Sequence, residues 1–113
     1  MNIKREKKFI NDLSKTRLSD SEFSKMVEYF SLLANDKPLP PSANDHALLG
    51  NYAKYREFHI GGDKLVIYKI ESETIYLARI GTHSQLFKQQ LQHKNGVNKC
   101  QSLSQKTFLL LES

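Results

Sequence analysis

The chain has 113 residues, 26% of them charged and 39% hydrophobic, with 17 Lys and Arg against 12 Asp and Glu and a net charge of +5. That describes one small domain with a modest core. No apolar run approaches the ~18–20 residues of a membrane helix. The basic segment Met1–Lys8 leads into no signal-peptide apolar stretch, and the single Cys100 leaves no internal disulfide framework or cysteine zinc site, so a reducing, cytoplasmic setting is expected.

The charge is uneven. Residues 1–37 carry eight Lys and Arg against six Asp and Glu, residues 38–87 five against five, and residues 88–113 four against one. Basic ends around a neutral centre suit a polyanionic partner.

The first third reads as two helices. Phe9, Ile10 and Leu13 recur at helical spacing. Ser19 and Glu22 have the spacing of a capping box, with Leu18 and Phe23 at the positions of a hydrophobic staple. Phe23, Met26, Val27, Phe30 and Leu33 then form an apolar stripe, and Pro38 ends the helix near Asn35-Asp36. Residues 38–54 read as a loop with three prolines, and Met1–Lys4 as a short edge strand.

A meander follows. Tyr55–Ile60 alternates, placing Tyr55, Glu57 and His59 on one side and Arg56, Phe58 and Ile60 on the other. Gly61-Gly62 marks a turn, Lys64–Ile70 is rich in β-branched and aromatic residues, Glu71-Ser72-Glu73 turns the chain, and Thr74–Ile80 is a third strand. The expected fold is α+β: two N-terminal helices packed on one face of an antiparallel sheet, with nothing assigned to cover the other face. Lys88–Lys106 is rich in Gln, Asn, Lys and Ser and reads as a solvated or disordered extension; Thr107–Leu111 is a short apolar run.

Three of the four histidines, His46, His59 and His83, fall within elements that the meander brings to one sheet edge, with Asp45, Glu57 and Asp63 near them in sequence. His59 and Asp63 flank the Gly61-Gly62 turn, and the third strand's end returns toward the first. Imidazoles exchange protons near neutral pH. Cleavage of RNA without a metal needs a base for the 2′-hydroxyl, an acid for the departing 5′-oxygen and positive charge beside the phosphate. Arg56 and Arg79 are candidate cations, and Phe87 a candidate base-stacking ring. The same residue types also serve as surface charge and core. No HExxH or similar metal-ligand pattern is present, and no metal or other cofactor is expected.

Five blocks in order carry a family resemblance. They are Asp45-His46-Ala47-Leu48-Leu49-Gly50, Tyr55-Arg56-Glu57-Phe58-His59, Asp63, Ile67-Tyr68-Lys69-Ile70 and Arg79-Ile80-Gly81-Thr82-His83-Ser84-Gln85-Leu86-Phe87. Together they resemble the YafQ branch of the RelE/ParE toxin superfamily, whose pattern runs DHxLxG, YRxxH, D, IYKI and RxGTHxxLF. The resemblance covers residues 1–87 as one toxin domain and leaves 88–113 as a C-terminal extension. It implies a RelE-like fold and a ribosome-dependent mRNA endonuclease, an mRNA interferase that inhibits translation by cutting mRNA in the A site. It implies as partners a cognate, ribbon-helix-helix-like antitoxin, the ribosome with its mRNA, and operator DNA through the antitoxin complex. By position it makes His46, His59, Asp63 and His83 catalytic, with His83 as general acid and the base open, Arg79 and Phe87 RNA-contacting alongside the candidate cation Arg56, and Glu57 an orienting acid where the family usually has Asp. Two alternatives remain: a topoisomerase-poisoning toxin of the same fold, and a non-enzymatic RNA- or protein-binding module.

Overall fold

The computed structural model of the chain describes residues 1–50 and 53–86. Phe87 and the extension 88–113 lie outside the described residues. The elements are β1 (Asn2–Arg5), α1 (Lys7–Lys15), α2 (Asp20–Ala34), a 3-10 turn (Pro41–Ala43), β2 (His46–Ala47), β3 (Arg56–Gly61), β4 (Lys64–Glu71) and β5 (Thr74–Thr82). The strands form one sheet in the order β1-β5-β4-β3-β2. The predicted meander is β3, β4 and β5. The N-terminal edge strand exists and pairs with β5 in parallel, Asn2 opposite Thr74 and Arg5 opposite Leu77. The loop before β3 contributes β2, a two-residue antiparallel strand with His46 opposite Glu57 and Ala47 opposite Arg56.

Local sequence explains much of this. Ser19 Oγ accepts the Glu22 N–H at 3.1 Å, and Glu22 Oε1 accepts the Ser19 N–H at 2.9 Å, so the capping box starts α2 as read. Asn35 caps its end and Asp36 turns left-handed at φ 58. Glu22 also binds Lys64 on β4 through both carboxylate oxygens, at 3.1 and 3.3 Å. The cap therefore fastens the helix to the sheet. Its bond to the Ser19 backbone and its pairing with Lys64 hold the Glu22 carboxyl below the ordinary range. Gly61 adopts φ +140, and an added Cβ would sit 3.2 Å from Glu22 Cγ. The β4–β5 turn runs through Ser72 and Glu73, both at positive φ, as a two-residue hairpin turn requires.

The main core lies between the helices and one sheet face. It holds Phe9, Met26, Tyr29, Leu33, Phe58, Ile60, Val66, Tyr68, Ile75, Leu77 and Ile80. Tyr29 and Phe30 meet Phe58 edge-on, at centroid distances of 5.4 and 6.0 Å. Two expectations change here. The buried face of α2 is rotated from the predicted stripe: Tyr29 turns its ring inward on Phe58, and Phe23 and Val27 are left exposed. The second sheet face is covered as well. Leu48, Leu65, Ile67, Ala78 and Leu86 form a second cluster there, with Tyr55 packed against it. Leu48 arrives from the loop after β2, its N–H held by the Tyr55 carbonyl at 3.0 Å, and Leu86 from a helical turn at 83–86.

Candidate active site

Strand alternation sets the site. Glu57 and His59 project from β3 on the second face, opposite to Arg56, Phe58 and Ile60. His46 is Glu57's cross-strand partner on β2. The three side chains meet at one atom: Glu57 Oε2 lies 3.3 Å from His46 Nε2 and 3.2 Å from His59 Nε2. The imidazole centroids are 6.3 Å apart. The Glu57 side chain is only 3% exposed, and its other oxygen, Oε1, is buried with no hydrogen-bond partner among the described residues. A buried carboxylate flanked by two imidazoles is costly to assemble and points to use.

The partners assign the protons. His46 Nδ1 lies 2.8 Å from the Asn44 carbonyl, which can only accept, so that nitrogen carries hydrogen. His46 Nε2 faces Glu57 Oε2 at 3.3 Å, an ion pair when the ring is protonated. His59 donates from Nε2 to the same oxygen, which in the neutral ring leaves the Nδ1 lone pair to take up a proton. Asn44, at φ 49, ends the 3-10 turn in the left-handed region and thereby aims its carbonyl at His46.

His83 follows β5 at the start of the turn 83–86. Thr82 and Gln85 cap that turn reciprocally: the Thr82 N–H donates to Gln85 Oε1 at 2.9 Å, and the Gln85 N–H to Thr82 Oγ1 at 3.1 Å. Gly81 makes room, since a Cβ there would meet Gln85 Oε1 at 3.0 Å. The His83 N–H donates to the Asp63 carbonyl at 3.2 Å, joining the β3–β4 turn to the end of β5. Burial pushes the His83 ring below the ordinary histidine value; Glu57 and Asp63 pull it back up, while His59 and His46 push it further down. All four catalytic candidates therefore belong to one electrostatic cluster. Among the described residues, no group of three or more His, Cys, Asp or Glu is disposed to hold a metal ion.

The arginines sit apart from the cluster. Arg79 grips Asp12 of α1 through Nε at 2.7 Å and a terminal nitrogen at 3.0 Å, while Asp12 also accepts the Ile80 N–H at 3.1 Å. Arg56 donates through Nε to Asp45 Oδ1 at 3.1 Å and stays 43% exposed. Burial lowers the Arg56 value, and its bonds to Asp45 and Tyr68 more than offset that, leaving it raised. The roles of Asn44 and Asp12 had no signal in the sequence beyond the left-handed tolerance of Asn.

A small α+β domain with an acid–histidine cluster at one end of its sheet is the class of molecule that this geometry defines. Residues 1–88 match the family model described as the bacterial toxin of type II toxin–antitoxin system, YafQ. The mRNA interferase toxin YafQ of Escherichia coli K12 is 31% identical over 80 residues, covering 70% of this chain and 87% of the relative. YafQ in the solved E. coli DinJ–YafQ complex superposes with a TM-score of 0.65 at 32% identity, covering 76% of this chain and 97% of that one. A metal-bound toxin from Helicobacter pylori superposes with a TM-score of 0.66 at 34% identity, covering 76% and 98%. The chain belongs to the YafQ family of type II toxin–antitoxin toxins, and its fold is the RelE-like fold of that family.

Proposed function

We propose that this toxin is a ribosome-dependent endoribonuclease, an mRNA interferase that cuts mRNA in the A site by acid–base chemistry. The observation that carries the reading is the Glu57 oxygen shared by His46 and His59, with His83 in the same electrostatic cluster. The name of the E. coli relative supports it.

The assignment follows from the protons. His59, oriented by Glu57 through Nε2, removes the 2′-hydroxyl proton. The 2′-oxygen attacks the phosphorus, and the bond to the 5′-oxygen breaks. His83 donates its proton to that 5′-oxygen, leaving a cyclic phosphate and a free 5′-hydroxyl. Burial makes the His83 imidazolium a strong donor, and Asp63 with the RNA phosphate favours its protonated form. His46, paired with Glu57, is assigned to phosphate contact within the cluster, and Arg56 to RNA contact from the other face of the sheet. Each proton-transfer group is worth about 10²–10⁴-fold in rate. Phe87 is assigned to base stacking. The antitoxin partner is supported by the DinJ complex of the E. coli relative.

Controlled induction tests this reading. Growth arrest with cuts at fixed codon positions in translated mRNA, relieved by His83→Ala in a folded protein, is the expected result. DNA breakage with intact mRNA would overturn it in favour of a topoisomerase poison.

A further inference from the structure

We propose that Tyr68, Asp45 and Arg56 form a positioning device on the back of the sheet, which sets the angle at which His46 meets Glu57. The inference deepens the catalytic reading and rests on it for its kinetic arm only.

β2 is two residues long and, among the described residues, is the edge strand of the sheet, with two residue pairs to β3. A strand that short is held weakly by its own ladder. Something else must keep His46 in register, and the described residues contain it. Alternation puts Asp45, one residue before His46, on the opposite side of the strand. On that back face Asp45 Oδ1 accepts the Tyr68 hydroxyl at 2.8 Å and Arg56 Nε at 3.1 Å, and the Asp45 carbonyl takes a longer bond from Arg56 at 3.4 Å. Tyr68 stands opposite Arg56 in the β3–β4 register, so the tie crosses β3 and ends on the central strand β4. Its ring is fully buried against Phe58, 5.5 Å between centroids. The anchor is therefore rigid at its root.

A charge-assisted bond from a buried hydroxyl to a carboxylate is short and directional. Burial pushes the Tyr68 hydroxyl far above the ordinary tyrosine value, and the Asp45 charge adds to the rise, so this hydroxyl stays a donor at any working pH. Beyond it, Asn44 holds His46 Nδ1. Two fixed points, Asn44 on the ring and Asp45 on the adjoining backbone, determine where Nε2 lies. A misplacement of about 1 Å can cost roughly 10²-fold in rate.

Tyr68→Phe removes one oxygen and keeps the buried ring, and Asp45→Asn keeps the shape while removing the charge. Both are read in two ways on the purified full chain. Long-range nitrogen NMR of the histidine rings should show the Nδ1-protonated form of His46 in the parent and a mixed tautomer pattern in each variant. Cleavage on programmed ribosomes should show kcat lowered about 10–100-fold with KM within about twofold. Tyr68→Phe should add little once Asp45→Ala is present, because both remove the same tie. His46 signals and kcat unchanged in folded Tyr68→Phe and Asp45→Asn proteins would overturn the proposal. The NMR arm decides it even if the parent cuts no RNA.

Discussion

Glu57 Oε2 lies 3.2 Å from His59 Nε2, and the carboxylate making that contact is almost wholly shielded from solvent. Such a partner sets a ring's tautomer as well as its direction. The same Glu57 oxygen reaches both imidazoles, at 3.3 Å to His46 and 3.2 Å to His59.

Glu57→Gln tests that role. The amide keeps the volume and loses the charge, and either end that it presents to the two rings mismatches one of them. The expected outcome is a fall in kcat of about 10²-fold or more with a melting temperature near that of the parent. Glu57→Asp restores the charge but draws the oxygen back, and should recover part of the loss. Single-turnover cleavage on programmed ribosomes measures both.

Acid should weaken the fold through His83. The ring's ordinary value is 6.5, and in the folded chain burial lowers it. Between the two values the unfolded chain binds more protons than the folded one, so stability falls as pH drops through 6.5 and levels off below the lowered value. Urea unfolding of the parent and of His83→Gln across pH 5 to 8 should show this slope in the parent and a shallower one in the variant. A difference that does not vary with pH would contradict the burial of His83.

Asp12 and Arg79 should matter first for stability. Their two-point contact ties α1 to β5, and Asp12 also satisfies the Ile80 N–H. Asp12→Ala leaves that amide and the guanidinium without their carboxylate and should cost about 2 kcal/mol in denaturant titration. Arg79→Ala separates two roles. A loss of stability with kcat/KM maintained on ribosomes marks a tie, and a loss of kcat/KM in a protein of parental stability marks a phosphate contact.

Much of this was legible in the sequence because it is local. The Ser19–Glu22 box, the turns at Gly61-Gly62 and Ser72-Glu73 and the alternation of β3 all follow from residues within a few positions of one another. The histidines could be placed at one edge because a meander returns its strand ends to the same place. What escaped is long-range or a matter of rotation. Asp12 meets Arg79 across 67 positions, and nothing in either neighbourhood predicts it. Tyr29 displaced Phe23 and Val27 from the core because its ring fits Phe58, a tertiary choice that helical periodicity cannot make. The second core formed because the loop after β2 and the turn after β5 fold onto the sheet face that alternation alone leaves bare. Glu57 reads from the sequence as an orienting acid, but its sharing between His46 and His59 depends on β2, a strand too short to announce itself.

The most direct test of the central claim is single-turnover cleavage of A-site mRNA by purified protein on programmed ribosomes, comparing the parent with His83→Ala and with the His46, His59 and His83 triple alanine variant, each confirmed folded by its melting curve. The account predicts codon-positioned cuts by the parent, a loss of about 10²-fold or more in His83→Ala and no cleavage by the triple variant. Cleavage by the triple variant at the parental rate would contradict it.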